Sequence, residues 1–126
     1  KTMNPSVDFV QIEGGLVQGM GWMMMEDLRY NDRGQLLSNT LSTYKVPDIY
    51  SVPKTVTIEA LKTNGSDLAI LKSKAVGEPP LMYGIGAYFA IDNAIKSFNP
   101  NFTSTFDAPF THEKVLMGLH GSLDFE

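Results

Sequence analysis

The carboxylate with the most chemically suggestive surroundings is Glu78, which lies between Gly77 and the two prolines Pro79 and Pro80. Glycine lets the backbone approach another group closely, and a proline drives the preceding residue toward an extended conformation. Pro80 suits the first turn of a helix. The pattern therefore predicts a fixed, ionised carboxylate at or just before a helix start, which is what a general base requires. A turn with a capping acid would show the same residues.

A second candidate, Gln11, lies near the start of the first long helix, which apolar residues three and four apart predict over residues 7–25. The interior of this helix holds four glycines: Gly14, Gly15, Gly19 and Gly21. Each glycine costs roughly 1 kcal/mol relative to alanine, so we expect close backbone packing against another element or a bulky ligand to offset them. Unpaired N–H groups in the first turn can face such a ligand. A tightly packed structural helix would fit equally well.

The elements that must position these residues predict an α+β fold, with two long helices and a short, mostly antiparallel sheet. A hairpin is predicted from residues 26–30 and 36–41, because Gly34 between them can take a positive φ. Alternating apolar residues predict a strand over 54–61, and a short apolar run predicts another over 68–71.

The second long helix is predicted over residues 81–97, with an apolar first half and a solvated second half that includes Asp92. A last short helix is predicted over 112–120, with Thr111 as its N-cap and Gly121 beyond its end. These helices would place the two candidate residues at separate glycine- and proline-controlled helix starts.

Methionine and histidine can bind metals, but in this sequence both are expected to have structural roles. Four methionines around Trp22 favour an irregular core: Met20, Met23, Met24 and Met25. His112 and His120 have no metal-ligand spacing. We expect no metal ligands in this chain, a turn at Asn64–Gly65 and a frayed tail over 123–126.

Composition limits the function classes. The chain has 126 residues, of which 43% are hydrophobic, so residues 1–126 are expected to form a single unit. A net charge of −4 without a basic patch argues against nucleic acid as a partner. The absence of cysteine excludes disulfides and cysteine nucleophiles and fits a cytoplasmic protein. The apolar run 79–91 is too short to span a membrane, and Lys1 suggests an excised piece of a longer chain.

Two stretches together resemble the molybdenum hydroxylase family of xanthine dehydrogenase and aldehyde oxidase. They are residues 11–21, Gln-Ile-Glu-Gly-Gly-Leu-Val-Gln-Gly-Met-Gly, and residues 74–81, Lys-Ala-Val-Gly-Glu-Pro-Pro-Leu. Residues 42–47, Ser-Thr-Tyr-Lys-Val-Pro, and 107–109, Asp-Ala-Pro, fit the same family. The resemblance covers nearly the whole chain, looks more like the xanthine dehydrogenases, and identifies the chain as a C-terminal segment of the molybdopterin-binding subunit or domain.

The resemblance implies an oxidoreductase that oxidises hypoxanthine and xanthine to urate, with water as the oxygen source. It implies that Glu78 is the general base, that Gln11 contacts the molybdopterin cofactor, and that Gly77 belongs to the cofactor-binding loop. The remainder of the molybdenum-binding subunit and the domains or subunits with [2Fe-2S] clusters and FAD would be partners. Because most of the family's cofactor loops and its purine-orienting residues are absent here, we expect this segment by itself to bind no cofactor and to be inactive.

Two alternatives remain at this point. The intact protein could be an aldehyde oxidase-type hydroxylase, which the substrate-orienting residues outside this chain would decide. The chain could also be a non-catalytic domain that keeps the fold for assembly or interaction. The presence of both Gln11 and Glu78 argues against the non-catalytic alternative, because a domain that no longer catalyses would not be expected to keep both residues as mutations accumulate.

Overall fold

The regular structure of the chain is helical in the computed structural model, which describes residues 2–63, 65 and 67–121. Its elements are α1 (Pro5–Met24), a 3₁₀ turn (Ile70–Lys72), α2 (Glu78–Tyr83), α3 (Ile85–Phe98) and α4 (His112–His120). Helix α1 packs against α2 and α3, and α3 packs against α4. Among the described helices, none combines the length and apolar character needed to cross a bilayer. The predicted turn at Asn64 and the tail 123–126 lie outside the described residues.

The outer helices begin and end where local capping chemistry places them. The Asn4 side chain accepts a hydrogen bond from a first-turn N–H of α1 at 3.4 Å, and Pro5 takes the first helical position, so α1 starts slightly before the predicted boundary. Thr111 caps α4 in the same way at 3.3 Å, and Gly121 ends it with a φ of 76°. The predicted bounds of α4 are confirmed.

The second long helix is interrupted at Gly84, which separates α2 from α3. The Gly84 N–H donates to the Leu81 carbonyl at 3.1 Å, and the Ala87 N–H donates to the Gly84 carbonyl at 2.9 Å. These bonds to the third residue back tighten the chain locally. Glu78 is the first residue of α2, so the expectation that proline would hold it extended was wrong.

The predicted antiparallel sheet is absent from the part of the chain that the structure describes. There, the one β pairing is an isolated bridge between Tyr30 and Leu36, closed by a turn in which Gly34 has a φ of 73°, as predicted. Beyond the bridge, the Arg29 N–H donates to the Ser38 hydroxyl at 3.0 Å instead of to a backbone carbonyl. The α+β prediction was therefore wrong, and the described residues form helices joined by long irregular connections.

The two other predicted strands, over residues 54–61 and 68–71, show why apolar patterns alone led to a wrong prediction. Within residues 54–61, Val56 and Ile58 are half-buried and their immediate neighbours are exposed, but Ala60, the third residue of the predicted apolar face, is exposed as well, so this face exists only in part. A strand also needs the backbone of a partner, and the described residues supply none there. Residues 68–71 run into the 3₁₀ turn instead, where Leu71 has a φ of 53°.

The core lies where α3, α4 and the end of α1 meet. Tyr88, Ile95 and Phe110 are buried at its centre, and partly buried apolar side chains surround them: Met23, Ile91, Phe102, Val115 and Leu119. The Phe110 N–H donates to the Met23 carbonyl at 2.7 Å, which ties the segment before α4 to the end of α1. Met23 thus joins the core as predicted, and the other three methionines of that cluster are half-buried.

Asp92 was predicted to lie on a solvated surface, but it is only 5% exposed. Its Oδ2 atom accepts a hydrogen bond from Lys96 Nζ at 2.6 Å, and its Oδ1 atom accepts one from the Ser104 hydroxyl. The bonds from Lys96, first, and from Ser104 lower the pKa of Asp92, although burial opposes them. The buried carboxylate therefore ties α3 to the connection before α4, which hydrophobic periodicity did not reveal.

Candidate active site

Gln11 and Glu78, far apart in the sequence, meet at one cavity. Gln11 lies in the second turn of α1, and Glu78 is the first residue of α2. The open cavity between them has a volume of about 560 Å³, within the range of small-molecule sites. It is lined by Val10, Gln11, Gly14, Gly15, Gln18, Gly77, Glu78 and Leu81. The structure thus brings together all three predicted site residues.

Glycines let α1 and α2 approach each other at backbone distance. A β-carbon built on Gly15 would lie 3.2 Å from the Pro80 Cβ atom and closer still to the Gly77 carbonyl oxygen. One built on Gly19 would lie 3.0 Å from the Gly84 Cα atom and closer still to the Leu81 carbonyl oxygen. A larger residue at either position would push away the helix that carries the candidate base. The predicted close backbone packing is confirmed for these positions.

Gly14 and Gly77 serve the cavity in another way. A β-carbon on Gly14 would have no neighbour within 4 Å, so this residue leaves the cavity wall open and does not support a helix contact. Gly77 has a φ of −86°, which any residue can adopt. A β-carbon there would lie 3.4 Å from the Gln11 Oε1 atom. The missing side chain of Gly77 therefore leaves the amide oxygen of Gln11 uncovered.

The side chains of Gln11 and Glu78 are available to a ligand. Both residues are exposed, and neither side chain forms a hydrogen bond or ion pair with any residue that the structure describes. The amide offers two N–H donors and an acceptor oxygen, and an ionised carboxylate accepts hydrogen bonds or a proton. Such a pair beside a glycine wall suits a flat ligand with polar edges.

Gln18 lines the same cavity, and the sequence reasoning did not single it out. It follows Gln11 by two helical turns and therefore shares its face of α1. The signal was present in the sequence as two glutamines seven positions apart with glycines between them.

A larger cavity, of about 660 Å³, lies beside the start of α4. Its lining includes Arg29, which is already paired with Asp27 at 2.7 Å and with Glu113 at 3.5 Å. None of the predicted site residues lines this cavity. In the described chain, no group of three or more His, Cys, Asp or Glu side chains could hold a metal ion there or elsewhere.

Known proteins match both the sequence and the fold. The family model of the molybdopterin cofactor-binding domain matches residues 1–53. Xanthine dehydrogenase 2 of Arabidopsis thaliana is 38% identical over 127 residues, which cover 92% of this chain and 9% of that protein. Indole-3-acetaldehyde oxidase of the same plant is 40% identical over 96 residues, which cover 76% of this chain and 7% of that protein. The chain thus spans less than a tenth of each of these relatives.

A solved structure shows the same arrangement of the chain. The crystal structure of quinoline 2-oxidoreductase from Pseudomonas putida 86 superposes with a TM-score of 0.79 at 28% sequence identity. The superposition covers 95% of this chain and 15% of the other. Sequence and structure agree that the chain belongs to the molybdenum hydroxylase family of xanthine dehydrogenases and aldehyde oxidases, as a segment of the molybdopterin cofactor-binding domain.

Proposed function

We propose that this chain is one unit, residues 1–126, of a molybdenum-dependent hydroxylase of the xanthine dehydrogenase type. The intact enzyme would oxidise hypoxanthine and xanthine to urate with water as the oxygen source. The meeting of Gln11, Gly77 and Glu78 at one cavity carries the proposal. The similarity to a plant xanthine dehydrogenase supports the choice of substrate.

The residues at the cavity fit a pterin cofactor. The glycine wall leaves room for a flat ring, and the Gln11 amide has no described partner to compete with the ring's donors and acceptors. Gln11 would therefore hold the cofactor, and Gly77 would allow its close approach. When bound, the molybdenum cofactor supplies the redox centre at which the substrate carbon is hydroxylated.

Glu78 is the general base in this proposal. Its backbone is fixed as the first residue of α2, and α2 is held by the glycine contacts with α1. The position of the Glu78 backbone is therefore set before substrate binds, and only its side chain has to become ordered. In this role, one Oε atom of Glu78 would accept and hold the proton that the water-derived oxygen gives up.

The other cofactors and partners lie outside this chain in the proposal. Electrons would leave through [2Fe-2S] clusters and FAD in other domains or subunits, and the remainder of the molybdenum-binding subunit would complete the cofactor site. Because the cavity is open and offers few polar groups, we expect the isolated segment to hold no cofactor and to be inactive. Stoichiometric molybdenum in the purified segment would contradict this.

Aldehyde oxidation is a second candidate. The similarity to an indole-3-acetaldehyde oxidase, at 40% identity over 96 residues, favours it. Glu78 as base and Gln11 as cofactor contact would serve either substrate, since neither role distinguishes a purine from an aldehyde. Comparing xanthine with an aromatic aldehyde as reductant of the complete enzyme would separate the two.

The proposal is tested by Glu78→Gln in the complete enzyme that carries this segment. The variant keeps the size of the side chain and removes its basicity. We expect unchanged molybdenum content and a fall of about 10²–10⁴-fold in the rate at which xanthine reduces the metal centre in a single turnover. The matched control is Glu59→Gln, the same change at an exposed position that does not line this cavity.

Near-normal reduction of a fully loaded Glu78→Gln enzyme would refute the role of Glu78 as base. It would favour the non-catalytic alternative, in which the carboxylate only begins α2. Equal losses in the Glu78 and Glu59 variants would show an effect of charge and not of position.

A further inference from the structure

We propose that Gln18 is a second ligand-binding residue of the cavity, and that its amide hydrogen-bonds the polar edge of the heterocycle bound there. This inference rests on the proposed function and extends it to a residue that neither the sequence motifs nor the comparisons assign. The shared ligand chemistry is a planar ring with alternating donors and acceptors, which either the pterin cofactor or a purine substrate presents.

The position of Gln18 on α1 is the first reason. Gln11 and Gln18 are separated by seven residues, which is about two turns and roughly 10 Å along the helix axis. Gly14 and Gly15 lie between them on the cavity wall. This face of α1 therefore presents an amide, a stretch without side chains, and a second amide.

The surroundings of Gln18 are the second reason. Its side chain has no hydrogen-bond partner among the described residues, so both amide donors and the acceptor are available. It shares the cavity with Glu78 and Leu81 on α2. An exposed glutamine elsewhere on α1 would simply be solvated, whereas Gln18 borders the space that the proposed ligand fills.

The polar character of the cavity sets the class of ligand. Glu78 is its one charged lining residue, and the two glutamines are its other polar side chains. Two neutral amides suit a neutral heterocycle better than an anion, which the carboxylate would repel. A cavity of about 560 Å³ has room for either ring system.

The test is Gln18→Met in the complete enzyme, because methionine has a similar length and helix propensity but no amide. The matched control is Asn93→Met, which removes an exposed amide on α3 away from the cavity. Four quantities are measured for wild type and both variants: molybdenum and pterin content, kcat per bound molybdenum, KM, and the thermal midpoint.

We expect Gln18→Met, unlike its control, to show one of two losses, each about fivefold, as for one neutral hydrogen bond. A loss of pterin content with unchanged kcat per molybdenum would assign Gln18 to the cofactor. A rise in KM with unchanged content and kcat would assign it to the substrate. Unchanged content and KM would overturn the proposal, and so would a loss accompanied by a lowered thermal midpoint of the cofactor-free enzyme, which indicates a structural role, since loss of bound cofactor alone lowers the midpoint only of the loaded enzyme.

Failure of this inference is distinguishable from failure of the proposed function. A wild-type enzyme that holds no molybdenum or pterin overturns both. A loaded wild-type enzyme whose Glu78→Gln variant is inactive, but whose Gln18→Met variant behaves as wild type, overturns only the assignment of Gln18.

Discussion

The crossing of α1 with α2 and the connection over residues 25–77 are built in different ways. At the crossing, backbone meets backbone, because Gly15 and Gly19 leave no side chain between the two helices. The connection has one isolated bridge and local turns, such as the one that Asp48 closes by accepting from the Ser51 N–H at 3.0 Å. The crossing is defined by backbone contacts between distant elements. The connection is held mainly by bonds between near neighbours, with a few longer-range side-chain contacts such as Arg29 with Glu113.

The difference shows which sequence patterns carry information about tertiary contacts. A glycine in a helix interior is costly, so its presence can indicate a close contact, as it does at Gly15 and Gly19 but not at Gly14. The alternation of apolar and polar residues over 54–61 indicates only which side of this segment is buried. The pattern would be the same whether the partner strand lay in this chain or elsewhere. The close contacts at Gly15 and Gly19 were therefore predicted correctly, and the strand over residues 54–61 was not.

The largest expected effect is at the crossing. Gly19→Leu should lower the free energy of unfolding by about 3 kcal/mol or more, because the new side chain would meet the backbone of α2 and overpack the contact. Urea unfolding measures the change. A thermal midpoint equal to that of wild type would show that Gly19 faces solvent.

Gly14→Ala is the matched control for that prediction. The two positions are in the same helix, but a β-carbon at Gly14 would meet nothing within 4 Å. We expect this variant to gain about 0.5–1 kcal/mol of stability from helix propensity. Equal destabilisation by both changes would mean that the helix as a whole is strained, and not that one contact is specific.

A smaller effect is expected at Asp92, whose contacts join α3 to the connection before α4. Its pKa is lowered by Lys96 and Ser104, so its stabilisation is complete above the unfolded pKa of about 3.8. It declines as pH falls further through the lower folded pKa. Asp92→Asn should therefore lower the thermal midpoint near neutral pH, and the difference from wild type should shrink in acid.

Asp32→Asn is the control for Asp92, since Asp32 is an exposed turn residue without a described partner. Its thermal midpoint should match that of wild type at every pH. A difference between Asp92→Asn and wild type that persists unchanged in acid would show that the side chain acts by packing and not by charge.

In the connection, Thr57→Pro should change the free energy of unfolding by less than about 1 kcal/mol, because the Thr57 N–H has no described partner to lose. Proline within a paired strand would cost more, since it removes a ladder hydrogen bond. Chemical unfolding of the variant measures the effect. A large loss of stability would mean that residues 54–61 pair with another strand. The connection would then, like the crossing of α1 with α2, depend on contacts between distant elements.

The smallest effect is expected in the core. The Tyr88 hydroxyl is buried and has no hydrogen-bond partner in the described structure. Tyr88→Phe should leave the free energy of unfolding unchanged or raise it by up to about 1 kcal/mol, because it removes an unsatisfied polar group. Tyr83→Phe, at a residue that is 70% exposed, should be neutral. A clear loss of stability in Tyr88→Phe would reveal a partner for the hydroxyl.

Local chemistry in the sequence predicted part of this structure correctly. Thr111 and Gly121 placed both ends of α4, and Gly34 adopted the positive φ that its turn requires. These predictions succeeded because caps and turns depend on bonds within a few residues. The motifs and the resemblance to a known family also pointed to Gln11 and Glu78 as candidate site residues, and the structure places both at one cavity.

Apart from the extended conformation expected of Glu78, the predictions that failed depended on contacts between distant residues. Asp92 reads as a solvated residue, since a carboxylate is buried only where distant partners satisfy it, and Ser104 is such a partner. Gln18 went unnoticed because one helix face contains many polar residues, and only the position of α2 shows which of them borders the cavity.

By itself, the sequence determined the helices at each end of the chain, the caps of α4, and the identity of the amide and carboxylate that form the candidate site. The tertiary structure decided that Gln11 and Glu78 share one cavity, that Gln18 joins them, and that the predicted strands have no ladder in the described chain. The physical reason is the sequence separation of the residues in contact. Caps, turns and helix periodicity depend on residues a few positions apart, whereas a cavity or a β ladder forms only when a second, distant element packs beside the first.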